Sequence, residues 1–170
     1  MKILGCILVI AVSMLIGRLL AESYVDRVKN LSNFITALEI LKSKIMFQQE
    51  VFEDIFYDIS LVSNKVLKGF FMEITEELKC SNIPLSEIWN RKVEEHFPHF
   101  DFTYEDEKIL LDFGNRLGKD DLDGQVYLIN STIERLKGQL MAADSEKSRY
   151  AKLYRTIGGI GGTALAVILI

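Results

Sequence analysis

The sequence predicts an all-α protein: a six-helix cytoplasmic bundle flanked by N- and C-terminal transmembrane helices. Three observations carry this. Apolar runs nearly free of charge stand at both chain ends, at 3–20 and 157–170. Helix-period apolar stripes fill the segment between them, with no strand alternation. The two prolines, Pro84 and Pro98, lie close together and leave the rest of the chain free to be helical.

Taken in order, Ile3 to Leu20 is apolar except for Ser13 and Arg18. About 18 helical residues rise roughly 27 Å, close to a bilayer core, and Arg18 can snorkel to the headgroups. A secretory signal is the competing reading, but Gly17-Arg18-Leu19-Leu20-Ala21-Glu22 offers no small-x-small cleavage site. A lipoprotein reading of Leu4-Gly5-Cys6 fails because no hydrophobic region precedes the cysteine. A retained anchor over 1–21 is expected. Tyr24, Val28, Leu31, Ile35, Leu38 and Ile45 then keep a 3-4 spacing that only Lys42 interrupts. Shorter stripes follow: Val51, Phe52, Ile55, Phe56 and Ile59, then Val66, Leu67, Phe70, Phe71, Ile74 and Leu78. Pro84 announces the next helix, with Leu85, Ile88, Trp89, Val93 and Phe97 inward, and Phe97-Pro98 is expected to end it. Thr103 caps a further helix with Asp106 at its third position, and Gly118 closes it. Asp120 or Asp121 caps the last helix of the bundle, striped by Leu122, Val126, Ile129, Ile133, Leu136, Leu140 and Ala143. The first and last stripes are expected to pair as an antiparallel stalk. Gly124 and Gly138 weaken the last helix by about 1 kcal/mol each if exposed. The segment 157–170 is uncharged but short for a span, so it is expected to thin the bilayer or bury against other membrane helices. The domains are thus 1–21, 22–156 and 157–170.

Basic residues close to the spans set the orientation. Arg18, Arg27 and Lys29 flank the first, and Lys147, Arg149, Lys152 and Arg155 precede the second. The positive-inside rule then puts 22–156 in the cytoplasm. That segment holds 18 basic and 24 acidic residues, a net charge of −6. Such a balance disfavours nucleic acid and suits a basic protein partner, although solubility alone explains it equally well. Cys6 and Cys80 are placed too differently to pair, so both are expected to stay reduced.

One set of positions runs through Lys2-Ile3-Leu4-Gly5, Gly17, Arg27, Leu31, Leu38, Leu41 and Ile45, then Leu85-Ser86-Glu87-Ile88-Trp89. It continues through Leu117-Gly118-Lys119-Asp120-Asp121 with Gln125 to Tyr150, Leu153-Tyr154-Arg155-Thr156 and the glycines after Ile157. In these residues the chain resembles the stage III sporulation protein AB family of endospore formers, over nearly its full length. Asp120 replaces the Ser of the family's Leu-Gly-x-Ser-Asp-x-x-x-Gln pattern, and Lys44 replaces an acidic residue. The family is in turn similar to the cytoplasmic domain of type II secretion F and type IV pilus platform proteins. Traces of that wider pattern are Ile83 to Ile88, Phe97-Pro98 and Gly114 to Gly118. The resemblance implies a bundle of the secretion-F type. It also implies a non-enzymatic platform subunit of the channel-like complex linking mother cell and forespore, in the mother-cell membrane. Its expected partners are a cytoplasmic secretion-type ATPase, other membrane subunits of the complex and further copies of the chain. The alternative is a membrane-bound regulatory adaptor that recruits a soluble signalling protein.

No catalytic residue, metal or cofactor is expected. Gly158 and Gly162 form a G-x-x-x-G that, with Gly5 and Gly17, is expected to let membrane helices pack closely. His96 and His99 have a zinc-like spacing, but the proline between them and the lack of a third ligand favour surface histidines. Glu105, Asp106, Asp120, Asp121 and Gln125 are candidates for a partner-docking face, against the plainer reading of capping or solvated groups. Trp89 reads as core, as do Val51, Phe52, Phe56, Phe70 and Phe71, with an oligomer surface the alternative for part of that aromatic set.

Overall fold

The computed structural model describes residues 2–47 and 50–151, with side chains for 21–47, 50–150, Val12 and Leu15. The described residues form six α-helices, no strand and one π-helical turn. The helices are α1 (Lys2–Phe47), α2 (Phe52–Val62), α3 (Lys65–Cys80), α4 (Leu85–Phe100), α5 (Tyr104–Arg116) and α6 (Leu122–Glu146), and the turn is Lys147–Ala151. Among residues whose side chains are described, no helix is long and apolar enough to cross a membrane. The run 3–20, apart from Val12 and Leu15, and the segment 157–170 lie outside that set, as do Gly5, Gly17, Gly158 and Gly162.

The chain divides into two units, Met1–Val28 with Met141–Ile170, and Lys29–Leu140. In the first, Tyr24 stacks on Tyr150 with ring centroids 5.5 Å apart, and Arg27 Nη1 donates to Glu146 Oε2 at 2.7 Å. Moving forward along α1 thus means moving backward along the C-terminal segment, the antiparallel pairing that the two stripes predict.

The second unit is built around rings. Phe34, Phe56, Phe70, Phe71, Trp89, Phe100 and Phe113 are all fully buried. They meet mostly edge-on or tilted, as the aromatic quadrupole prefers: Phe70 lies 5.2 Å from Trp89 at 82°, and Phe34 lies 6.0 Å from Phe100 at 87°. Phe34 falls between the predicted positions Leu31 and Ile35, so the inward face of α1 is wider than the stripe suggested. Val51 is exposed because it is the N-cap residue of α2, outside the helix, and Phe97 is only half-buried.

Pro98 does not end its helix. It sits inside the last turn of α4, which runs on to Phe100 and stops at Asp101 in the left-handed conformation (φ 56°). Proline there lacks the N–H that would bond back to the Glu94 carbonyl, so the last turn runs on with one backbone bond fewer. Burial of the Phe100 ring offsets that loss. The Phe100 carbonyl, which has no helical partner at the end of α4, accepts from Asn30 Nδ2 at 3.0 Å, and Asn30 Oδ1 in turn accepts from Asn64 Nδ2 at 2.9 Å. Asn64 Oδ1 also accepts from the Leu67 N–H at 3.0 Å, capping α3. One buried asparagine therefore ties α1 to the end of α4 and the start of α3, leaving none of these polar groups orphaned.

Lys42, the interruption in the α1 stripe, reaches across to donate to Asn130 Oδ1 of α6 at 3.1 Å. The two α6 glycines differ. A Cβ on Gly124 would lie 2.7 Å from Asp120 Cβ, so the position is tight rather than merely weak; a Cβ on Gly138 would meet nothing within 4 Å. Gly138→Ala is therefore expected to stabilise the protein by about 1 kcal/mol, read as a higher denaturation midpoint.

Candidate functional site

The Leu117–Gln125 segment is where the candidate residues concentrate, and its geometry follows from three local demands. Helix α5 must stop, and it does so in a type II turn: Leu117 has φ −60° and ψ 128°, Gly118 has φ 77°, and the Lys119 N–H donates to the Arg116 carbonyl at 3.2 Å. The third position of that turn needs positive φ, which glycine adopts without steric cost. Helix α6 must start, and Asp121 caps it by accepting from the Gly124 N–H at 3.0 Å. The turn must then be held. Gln125 Oε1 accepts from the Gly118 N–H at 3.1 Å, while Gln125 Nε2 faces the Arg116 and Asp120 carbonyls at 3.4 and 3.5 Å. Leu117 is buried beneath it all. Gln125→Ala leaves the Gly118 N–H without its acceptor. It is expected to cost about 1–3 kcal/mol and to speed hydrogen exchange at that amide.

This placement redistributes the candidate docking residues. Gln125 is buried and spent on the turn, and Asp106 is fully buried. Asp106 Oδ2 accepts from the Thr103 N–H at 2.9 Å, and Thr103 Oγ1 accepts from the Asp106 N–H at 3.4 Å, a reciprocal capping box that opens α5. Neither residue is available to a partner, so both leave the expected docking face. Glu105, Asp120 and Asp121 are exposed, but α5 stands between them: Glu105 is at its start and the two aspartates lie past its end, roughly 20 Å away. They do not form one patch. Asp120 accepts from Arg116 Nη2 at 3.2 Å, a surface pair of small energetic weight.

Lys44, the other departure from the family pattern, donates to Asp58 at 2.7 Å and Glu50 at 2.8 Å. The bond to Asp58, then that to Glu50, raises its pKa above the ordinary value, against the opposing effect of burial. A cation here is thus answered by two carboxylates close by in sequence.

The histidines lie on one uninterrupted helix, contrary to the expected break between them, with rings 6.5 Å apart. His96 stacks on Phe100 at 6.0 Å and its Nε2 lies 3.1 Å from Glu73 Oε2. Burial raises the Glu73 carboxyl, but its bonds with His96 and Lys92 outweigh that and hold it below the ordinary carboxylate range. The stabilising contribution is therefore present above the unfolded value and is lost as pH falls through the depressed one. Among the described residues, no three His, Cys, Asp or Glu side chains gather to hold a metal.

Two open grooves flank α5. One, of about 350 Å³, runs between α5 and α6, where Arg135 donates to Asp112 at 3.0 Å. The other, of about 520 Å³, lies between α4 and α5, with Asn90 donating to Asn115 Oδ1 at 2.7 Å. Neither brings together a nucleophile, a base and a stabilising donor.

Residues 2–170 match the family model described as Stage III sporulation protein AB. Stage III sporulation protein AB of Bacillus subtilis (strain 168) is 18% identical over 169 residues, covering 99% of each chain. A solved structure of a protein bearing that same name is similar with a TM-score of 0.69 at 16% identity, covering 73% of this chain and 98% of that one. At such identity the structural likeness speaks for the fold, and the match of the family model along the chain speaks for membership. The chain belongs to the stage III sporulation protein AB family.

Proposed function

We propose that the protein is a non-enzymatic platform subunit of the channel-like secretion complex between mother cell and forespore. Its two apolar ends hold it in the mother-cell membrane, and its helical bundle docks a secretion-type ATPase in the cytoplasm. The observation that carries this reading is family membership over residues 2–170, which takes in both apolar ends together with the bundle. The basic residues beside each end support the orientation. The polar motif at the α5–α6 turn is consistent with it, because those side chains hold a turn in shape rather than face a substrate.

The test is co-reconstitution. Full-length protein in proteoliposomes is expected to recruit the cognate ATPase to the membrane in a fixed ratio and in clusters. Absence of recruitment with both proteins folded contradicts the platform role. Recruitment of a soluble signalling protein instead, without clusters, supports the adaptor alternative.

A further inference from the structure

The Lys29–Leu140 unit carries a patch with an apolar centre and an acidic rim. Phe47 is 78% exposed, Val51 58% and Leu122 46%, although each is a side chain that burial would favour. Two observations bring them to one end. A Cβ on Gly118 would lie 3.5 Å from the Phe52 ring, so the α5–α6 turn sits against the first turn of α2, just after α1 has ended. Lys42 bonds to Asn130, so α6 lies beside the last turns of α1. Phe47, at the end of α1, is about 27 Å along that helix from Lys29, where the unit begins.

Acidic residues occupy the same helix ends as these apolar ones. Glu53 and Asp54 occupy the first turn of α2, while Asp121 and Asp123 flank Leu122, with Asp120 just before. The nearby cations are mostly engaged: Lys42 bonds to Asn130, Lys44 to Glu50 and Asp58, and Arg116 to Asp120, while Lys119 stands exposed. An exposed apolar centre inside a rim of one charge is the layout of a protein-docking surface.

We infer that this patch binds a protein partner that presents an apolar side chain set among lysines and arginines. The inference rests on the platform reading and deepens it, by naming the surface and the chemistry it recognises. Charge selects the occupant. A second copy meeting through the same patch would set one acidic rim against another, whereas a basic surface is attracted over the Debye length and then seated by the apolar contact.

The test uses the full chain in proteoliposomes with the cognate secretion-type ATPase as the probe. Val51→Ser is informative because Val51 is an N-cap residue with no side-chain cap bond. Serine there supplies an acceptor, so the fold is kept while the apolar anchor is lost. Val51→Ser and Phe47→Ser are each expected to weaken recruitment by about tenfold. Asp54→Asn with Asp123→Asn is expected to slow association several-fold and to flatten its salt dependence. Undiminished recruitment by these variants, with the wild type binding normally, overturns the patch and leaves the platform role standing. If the wild type itself recruits nothing, the platform reading fails and the patch falls with it. If instead the variants disperse an oligomer of the chain alone, the occupant is a second copy and the inference is wrong.

Discussion

Phe34→Ala is expected to destabilise the protein by about 3–5 kcal/mol, a large part of the roughly 5–15 kcal/mol that holds a typical domain. Phe34 is fully buried, and its ring lies within 5.6–6.2 Å of Phe70, Phe71, Trp89, Phe100 and Phe102. It is the side chain through which α1 enters the ring cluster of α3 and α4. Truncation removes the apolar transfer energy and opens a cavity that five rings cannot all collapse into. Chemical denaturation followed by the fluorescence of Trp89, the single tryptophan and itself fully buried, measures the loss. Tyr127→Ala is the control: its ring is mostly exposed, and its effect is expected to stay within about 0.5 kcal/mol.

Gly114→Ala is expected to cost about 3 kcal/mol, at the upper end of what overpacking usually exacts. Gly114 is buried in α5, against the side chains of α4. A Cβ there would lie 2.2 Å from Trp89 Cδ1 and 2.4 Å from Asn90 Oδ1. Trp89 has little freedom to retreat, because its Nε1 donates to the Leu110 carbonyl at 2.9 Å and its ring lies 5.1 Å from Phe113. The same substitution at Gly138, where a Cβ meets nothing within 4 Å, is expected to have the opposite sign, so helix propensity is not the cause. In a Trp89→Ala background the added methyl is expected to cost far less, and this non-additivity in a double-mutant cycle identifies the clash as the mechanism.

Apolar periodicity made the helices legible in the sequence, and turn chemistry made their ends legible. Thr103 with Asp106, Gly118 and Asp121 act through short-range backbone demands that any three or four residues reveal. The rest needed the fold. Nothing near Pro98 in sequence indicates that burial of Phe100 carries α4 through the proline, or that Asn30, far back on α1, takes the carbonyl left open at the helix end. Phe34 escaped because a strict 3-4 stripe is narrower than the face a helix presents inside a bundle. The candidate acidic face was misgrouped for a related reason. Glu105 and Asp120 are close in sequence, yet a helix puts its own length between them, while Asp106 and Gln125 are polar residues that satisfy backbone groups inward. The apolar patch at Phe47, Val51 and Leu122 was not legible either, since it joins residues far apart along the chain and Val51 read as core.

Membrane topology tests the account most directly, and the protein carries its own probe. Cys80 is free and exposed on the bundle, and Cys6→Ser removes the other thiol. With a membrane-impermeant maleimide, Cys80 should remain unmodified on intact cells and react fully once the envelope is opened. Modification of Cys80 on intact cells would place the bundle outside the cytoplasm and contradict the platform.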